Sequence, residues 1–141
     1  MQTALNIAKF FLSKVDEDAG DLISNLKLQK LLYYAQGFHL ALYDEPLFAE
    51  EIKAWTHGPV IPDVYHHFKE YGDEAIPAPT KAPRFSREVT QFLNEVYKVY
   101  GQFSAWKLRN MTHGESPWKN APSAGVISHD SLRTYFKTQL A

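Results

Sequence analysis

The amino-acid sequence predicts a mainly α-helical protein with a small β element, folded as one compact multi-helix domain over residues 1–141. Three observations predict this fold class. Apolar residues recur every three or four positions in several segments, most of them bounded by a capping residue, glycine or proline. Two short segments, near 52–56 and 125–127, favour strands instead. The single proline-rich tract, 73–85, is too short to separate two independently folded halves.

Composition limits the function classes. A domain of this size buries roughly 68–70% of its unfolded surface, and 45% hydrophobic residues supply ample core. Fifteen Lys+Arg against 16 Asp+Glu give a net charge of -1, so no nucleic-acid partner is expected. The absence of cysteine excludes disulfides, thiolate nucleophiles and cysteine-ligated zinc. Because no segment approaches the ~18 apolar residues of a membrane span, we expect a cytoplasmic protein without membrane contact.

Two helices are predicted in the N-terminal part. The first has its apolar positions at helical spacing from Ala4 to Val15 and fades in an acidic turn at 16–20. Asn25 is the predicted N-cap of the second, which Asp44 and the following residues end. This long helix is expected to be the central one. Lys27 and Lys30 fall opposite its predicted buried stripe, which comprises Leu28, Leu31, Leu32, Ala35, Phe38, His39 and Leu42.

In the middle of the chain the spacing of the apolar residues changes from helical to alternating. Alternation over 52–56 suits a short strand, which the pair Gly58-Pro59 is expected to break. Pro62 fits the first turn of a further helix ended by Gly72. Residues 73–85 are expected to be an extended surface connection.

Serine residues are predicted to begin the helices of the C-terminal part. Ser86 is predicted to cap a helix ended by Gly101, and Ser104 to cap a shorter one. Ser116 is predicted to cap one helical turn that Pro117 opens, and Ser128 to cap the last helix. The segment 125–127 is expected to form a strand beside the Ile52 segment.

The histidines do not predict a metal site. His66 and His67 are adjacent, so on a helix they point about 100° apart and cannot share a metal as an i, i+4 pair would. His57, His113 and His129 have no spacing typical of ligands. We interpret His66 and His67 as surface residues and His57 and His113 as buried or half-buried hydrogen-bonding groups, and we expect neither metal nor cofactor.

His113 and Glu115 allow two interpretations. As an acid–base pair with His57 they would indicate a His/Glu-dependent hydrolase, since general catalysis needs two groups of matched pKa within hydrogen-bond reach. Alternatively, Thr112 or His113 ends one helix while Glu115 and Ser116 accept from amides that open the next. The second interpretation is favoured, because no nucleophile elbow, phosphate loop or paired-carboxylate motif accompanies the pair.

Aromatic residues off the predicted core suggest partner binding. Tyr34 departs from the buried stripe of the central helix, and Trp55 alternates away from Ile52 and Ala54. Tryptophan, tyrosine and arginine are enriched among the residues that dominate binding energy at interfaces.

The order of four segments resembles a known family. They are LKLQKLLYYAQG (26–37), PLF (46–48), IKAWTHGPVIPDVY (52–65) and THGESPWKNA (112–121). These segments, followed by Ile127, Ser128 and the last helix, are similar to the Panacea domain of phage-associated GepA-like proteins and SocA-type antitoxins. The departure is His57, where an aromatic residue is expected.

The resemblance implies a binding protein and not an enzyme, with no catalytic residues to carry over. Panacea proteins are implied to neutralise a cognate protein toxin by direct binding. One SocA-type branch is implied to act instead as an adaptor that delivers its toxin to a bacterial protease. A toxin is therefore the expected partner, and a protease the alternative one.

Two sets of residues are predicted on this basis. Partner contact is expected at Trp55, His57, Tyr65, Tyr34 and Lys30. Structural roles are expected for the matching motif residues Gly58, Pro59, Thr112, His113, Glu115, Pro117 and Trp118. Among these, Trp118 is expected to hold the Pro117 turn against the central helix.

Overall fold

The predicted fold class is confirmed by a computed structural model that describes residues 1–16, 18 and 21–140. Within these residues the chain forms a two-stranded antiparallel sheet and seven α-helices. The strands are β1 (Lys53–Trp55) and β2 (Gly58–Val60). The helices are α1 (Ala4–Ser13), α2 (Asn25–Tyr43), α3 (Pro62–His67), α4 (Arg87–Tyr100), α5 (Ala105–His113), α6 (Ser116–Lys119) and α7 (His129–Lys137). A 3₁₀ turn, Lys69–Tyr71, follows α3. No helix in the described ranges has both the length and the apolar character needed to cross a bilayer.

Helix α2 is the centre of the molecule, as predicted. It packs against α1, α4, α5, α7 and strand β2. The approach of α7 is close: a Cβ added to Gly37 would lie 2.2 Å from the Phe136 ring. A helix enclosed in this way buries residues on every face. The expectation that Lys27 and Lys30 lie on an outer face is therefore wrong, because both are buried. Leu42, expected inside, is half exposed.

The polar residues of α2 are buried because their side chains bind backbone groups of later segments. Gln36 accepts from the Leu47 amide (2.7 Å) and donates to the Phe48 carbonyl (2.8 Å). Gln29 accepts from the Ile61 amide at 2.9 Å. A buried polar group that keeps its hydrogen bond avoids the cost of desolvation, so these residues fasten the middle of the chain to the helix.

Three of the predicted N-caps are confirmed, and two, Asn25 and Ser116, lie one residue inside the helix, since Ser24 and Glu115 are the N-cap residues of α2 and α6. The Ser86, Ser104 and Ser128 hydroxyls each accept from the amide three residues on. For α2 the cap is Ser24, which accepts from the Lys27 amide, and not Asn25. Asn25 instead donates to the Tyr65 carbonyl at 3.0 Å. Ser and Asn are both good caps, and the tertiary contact of Asn25 decides between them.

The β element is a hairpin, which the sequence predicted only in part. β1 pairs with β2 across a two-residue loop, with Ala54 opposite Pro59. The pair Gly58-Pro59, expected to break the strand, begins the return strand instead. Gly58 has φ of +109°, a backbone angle that L side chains rarely adopt. The predicted strand at 125–127 is a single bridge, Lys53 to Val126, beside the predicted Ile52 segment.

The connections follow the predictions where they are described. The acidic turn at 16–20 lies partly outside the described residues. The tract 73–85 contains no helix or strand, and Ile76 anchors it by burial and by donating from its amide to the Ile23 carbonyl at 2.9 Å. Helix α3 begins at Pro62, as expected, and Gly72 ends the 3₁₀ turn that follows.

Candidate functional site

An aromatic and cationic surface surrounds the β1–β2 hairpin. We call it the hairpin surface and define it by Trp55, His57, Tyr65, Trp106 and Arg109. The Trp55 and Tyr65 rings lie 5.2 Å apart, edge to face. His57 is exposed in the hairpin loop, and Trp55 and Tyr65 are half-buried. The structure thus brings together three of the five residues predicted for partner contact.

Helix α5 supplies the other half of the hairpin surface. The Arg109 guanidinium lies 4.4 Å from the centre of the Trp106 ring, a cation–π contact. Arg109 Nε donates to His57 Nδ1 at 3.2 Å. Trp106 is 56% exposed. Sequence reasoning missed both residues, although a Trp and an Arg three positions apart share one helix face.

A cavity of about 440 Å³ opens beside Trp55 and Tyr65. Its apolar lining includes Leu26, Ala54 and Val60, and its polar lining includes Lys30 and His57. The cavity therefore offers an apolar wall next to groups that donate hydrogen bonds.

Lys30 is the unusual member of this lining because it is fully buried. Its Nζ donates to the Pro59 carbonyl at 3.0 Å. Burial, and secondarily the charge of Arg109, lowers the pKa of Lys30 to about 7. A buried ammonium without a carboxylate partner is costly, which is why its neutral form is favoured.

Trp118 supports the hairpin, a role that the sequence did not predict, and its contact with the central helix stays a prediction. Its indole Nε1 donates to the Trp55 carbonyl at 2.8 Å. Its ring stacks on His113 with centroids 4.0 Å apart and planes 9° from parallel. Burial, with the nearby Arg109 charge, lowers the pKa of His113. The stack holds the end of α5 and the α6 turn against β1.

Glu115 occupies the N-cap position of α6, but its side chain does not cap the helix, so the expectation that it accepts from the opening amides is wrong. Its carboxylate accepts from the Tyr33 hydroxyl at 2.9 Å and from the Tyr34 hydroxyl at 2.8 Å. Burial raises the pKa of Glu115 to about 7, although the tyrosine hydrogen bonds act in the opposite direction. Since Tyr33 and Tyr34 lie on α2, Glu115 ties the α5–α6 junction to the central helix.

The remaining predicted site residues are placed as follows. Tyr34 and Lys30 are buried, so the expectation that they lie off the core is wrong, and their partner role stays a prediction. No hydrogen bond or ion pair joins His113 to Glu115 among the described contacts. His66 and His67 are exposed and His113 is half-buried, as expected, but the expectation that His57 is buried or half-buried is wrong, because it is exposed in the hairpin loop. Within the described ranges no group of three or more potential ligands is placed to hold a metal ion.

Comparison with known proteins identifies relatives. The family model for "Antitoxin SocA-like, Panacea domain" matches residues 28–119, which include nearly all of α2, the hairpin, α5 and α6. Antitoxin SocA of Caulobacter vibrioides (strain NA1000 / CB15N) is 34% identical over a match that covers 68% of this chain. That match spans 58% of the length of the relative. No solved structure matches the chain.

Proposed function

The chain belongs to the Panacea-domain family of SocA-like antitoxins, and from this membership we propose that it neutralises a protein toxin by binding it directly. The observation that carries the proposal is the hairpin surface. It lies inside the region that matches the family and exposes Trp, Tyr and Arg side chains. These are the residue types that most often dominate the binding energy of protein interfaces.

The hairpin surface is also held rigidly, which favours tight binding. Trp118 bonds the Trp55 carbonyl from one side, and the bridge between Lys53 and Val126 holds the same strand from the other. Arg109 is fixed between the Trp106 ring and His57. Side chains ordered before binding lose less entropy on association, so more of the contact energy remains as affinity.

The contacts of His113 and Glu115 favour binding over catalysis. The His113 ring stacks on Trp118, while the Glu115 carboxylate accepts from Tyr33 and Tyr34. General acid–base catalysis requires such groups to reach one reacting atom. Both side chains here join secondary-structure elements, and we propose no enzymatic role.

The proposal is tested by co-expressing the chain with the product of the adjacent reading frame in a bacterial host. We expect the chain to restore growth and to co-purify with that product. The double variant Trp55→Ala/Tyr65→Ala should lose both effects while keeping its helical circular dichroism. Tyr43→Ala is the matched control, because Tyr43 is an exposed aromatic at the far end of α2. A folded double variant that still neutralises the toxin would contradict the proposal.

A second arm separates masking from degradation. Direct masking predicts that growth is restored equally in hosts that lack their ATP-dependent proteases. Loss of rescue in those hosts, with binding in vitro unchanged, would instead identify an adaptor for proteolysis.

A further inference from the structure

No carboxylate among the described residues forms an ion pair with Arg109, the cation of the hairpin surface. Arg109 donates to His57 Nδ1 and to the Asn110 side-chain oxygen, and Lys30 donates to a backbone carbonyl. Among the described residues, ion pairs form elsewhere, where Arg133 and Lys137 meet Asp44 and Arg133 meets Asp130. The half-buried Arg109 guanidinium therefore remains available to an external anion.

The positive charge of Arg109 also acts on the basic groups around it. After burial, Arg109 is the charge that lowers the pKa of Lys30, and Arg109, Lys30 and His57 all act to lower the pKa of His113. Like charges held close in a partly desolvated site repel, and an anion placed among them removes that repulsion. The local field thus favours a negatively charged occupant.

The cavity next to these groups suits a side chain of a partner protein. Its volume of about 440 Å³ lies within the range of ~300–1,000 Å³ typical of ligand pockets. Trp55, Tyr65 and Val60 supply an apolar wall, while His57, which accepts from Arg109, lies on the side of the cavity next to the guanidinium. This combination fits an acidic group beside an apolar body.

We propose that the toxin places an aspartate or glutamate beside Arg109 and His57, at the edge of this cavity, and a flanking apolar residue inside the cavity. The inference rests on the proposed function, because it names the chemistry that the bound protein presents to the hairpin surface. Asp73 also lines the cavity and would repel the partner's carboxylate if it entered on the side of Asp73. The opposite charges would therefore also set the orientation of the partner.

The first test is a charge reversal measured by calorimetry with the product of the adjacent reading frame. Arg109→Glu should weaken binding by at least about tenfold, since it places like charges opposite each other. Lys107→Glu is the matched control on the same helix, because Lys107 is exposed and its side chain lies outside the hairpin surface. Changing the responsible acid of the partner to arginine should restore binding to Arg109→Glu. If Arg109→Glu binds as well as the unaltered chain while Trp55→Ala/Tyr65→Ala does not bind, the acidic-group inference falls and the proposed function stands.

The second test needs no toxin. The probe is 3-phenylpropionate, with its neutral amide as the matched compound, titrated while the tryptophan indole N–H signals are followed by NMR. We expect saturable shifts with the acid, weaker shifts with the amide, and loss of the difference in Arg109→Gln. Equal shifts with both compounds would overturn the inference. So would the absence of shifts with either compound at concentrations tenfold above a Kd of ~1 mM.

Discussion

Glu115 shows how a single buried residue can make stability depend on pH. Its side chain reaches across from the α5–α6 junction to two tyrosines of α2. Burial raises the pKa of the carboxyl from 4.5 to about 7. Between these values the folded protein holds more protons than the unfolded chain, so this group lowers the free energy of unfolding as pH rises through the window.

We predict that Glu115→Gln removes this dependence. Going from about pH 5 to about pH 7, the glutamine variant should gain stability relative to the unaltered protein, by an amount on the order of 2–3 kcal/mol. Urea unfolding at several pH values measures the difference. Glu95→Gln is the control, because Glu95 is an exposed carboxyl on α4. A constant difference between Glu115→Gln and the unaltered protein across the window would show that Glu115 is ionised in the folded state at pH 5.

Lys30 illustrates what sequence reasoning loses at the residue scale. Its position on α2 is predictable, because helical spacing fixes which face a residue occupies. The environment of Lys30 is not predictable, because the residues that cover it belong to the β1–β2 hairpin, some thirty positions later in the sequence. Without the hairpin, this face of α2 would meet water. The same holds for Tyr34, whose partner Glu115 is 81 positions distant.

At the scale of elements, most boundaries were predictable because they are set locally. The caps at Ser86, Ser104 and Ser128 accept from amides three residues on, so the signal and its effect lie in one short window. β2 escaped prediction because it contains Pro59, which usually argues against a strand. In this hairpin the N–H that proline lacks is not needed for a hydrogen bond between β1 and β2, and the Pro59 carbonyl accepts from Lys30.

The geometry of the hairpin leads to a prediction about Gly58. Gly58→Ala forces an L side chain to φ near +109° and places its Cβ 2.7 Å from Lys30 Cε and 2.8 Å from Thr112 Oγ1. We expect a loss of about 1–3 kcal/mol in the free energy of unfolding, together with weaker toxin binding. Gly114→Ala is the control, since its nearest atom is an ordinary 3.6 Å away and its φ is -90°. Equal stability of the two variants would show that the hairpin tolerates a side chain at position 58.

At the scale of the whole molecule, the fold class and the family follow from the sequence, but the binding surface does so only in part. Trp55, His57 and Tyr65 lie within one continuous motif and were predicted together. Trp106 and Arg109 join them only because α5 packs beside the hairpin. A surface assembled from distant segments depends on tertiary packing, which periodicity does not specify.

The prediction that residues 1–141 form a single domain can be tested by asking whether distant parts unfold together. Phe136 on α7 is fully buried and packs on Gly37, Tyr33 and Phe38 of α2. Phe136→Ala should cost about 3–5 kcal/mol and lower the Tm by roughly 10 °C in a domain of this size.

Trp55, Trp106 and Trp118 all lie at the hairpin, so their fluorescence reports on that region, whereas circular dichroism reports on the helices. One cooperative unit requires both signals to shift equally. Thr134→Ala is the control, since Thr134 is an exposed residue of the same helix. If tryptophan fluorescence kept its original midpoint while the helical signal moved, the hairpin region would be a separate folding unit.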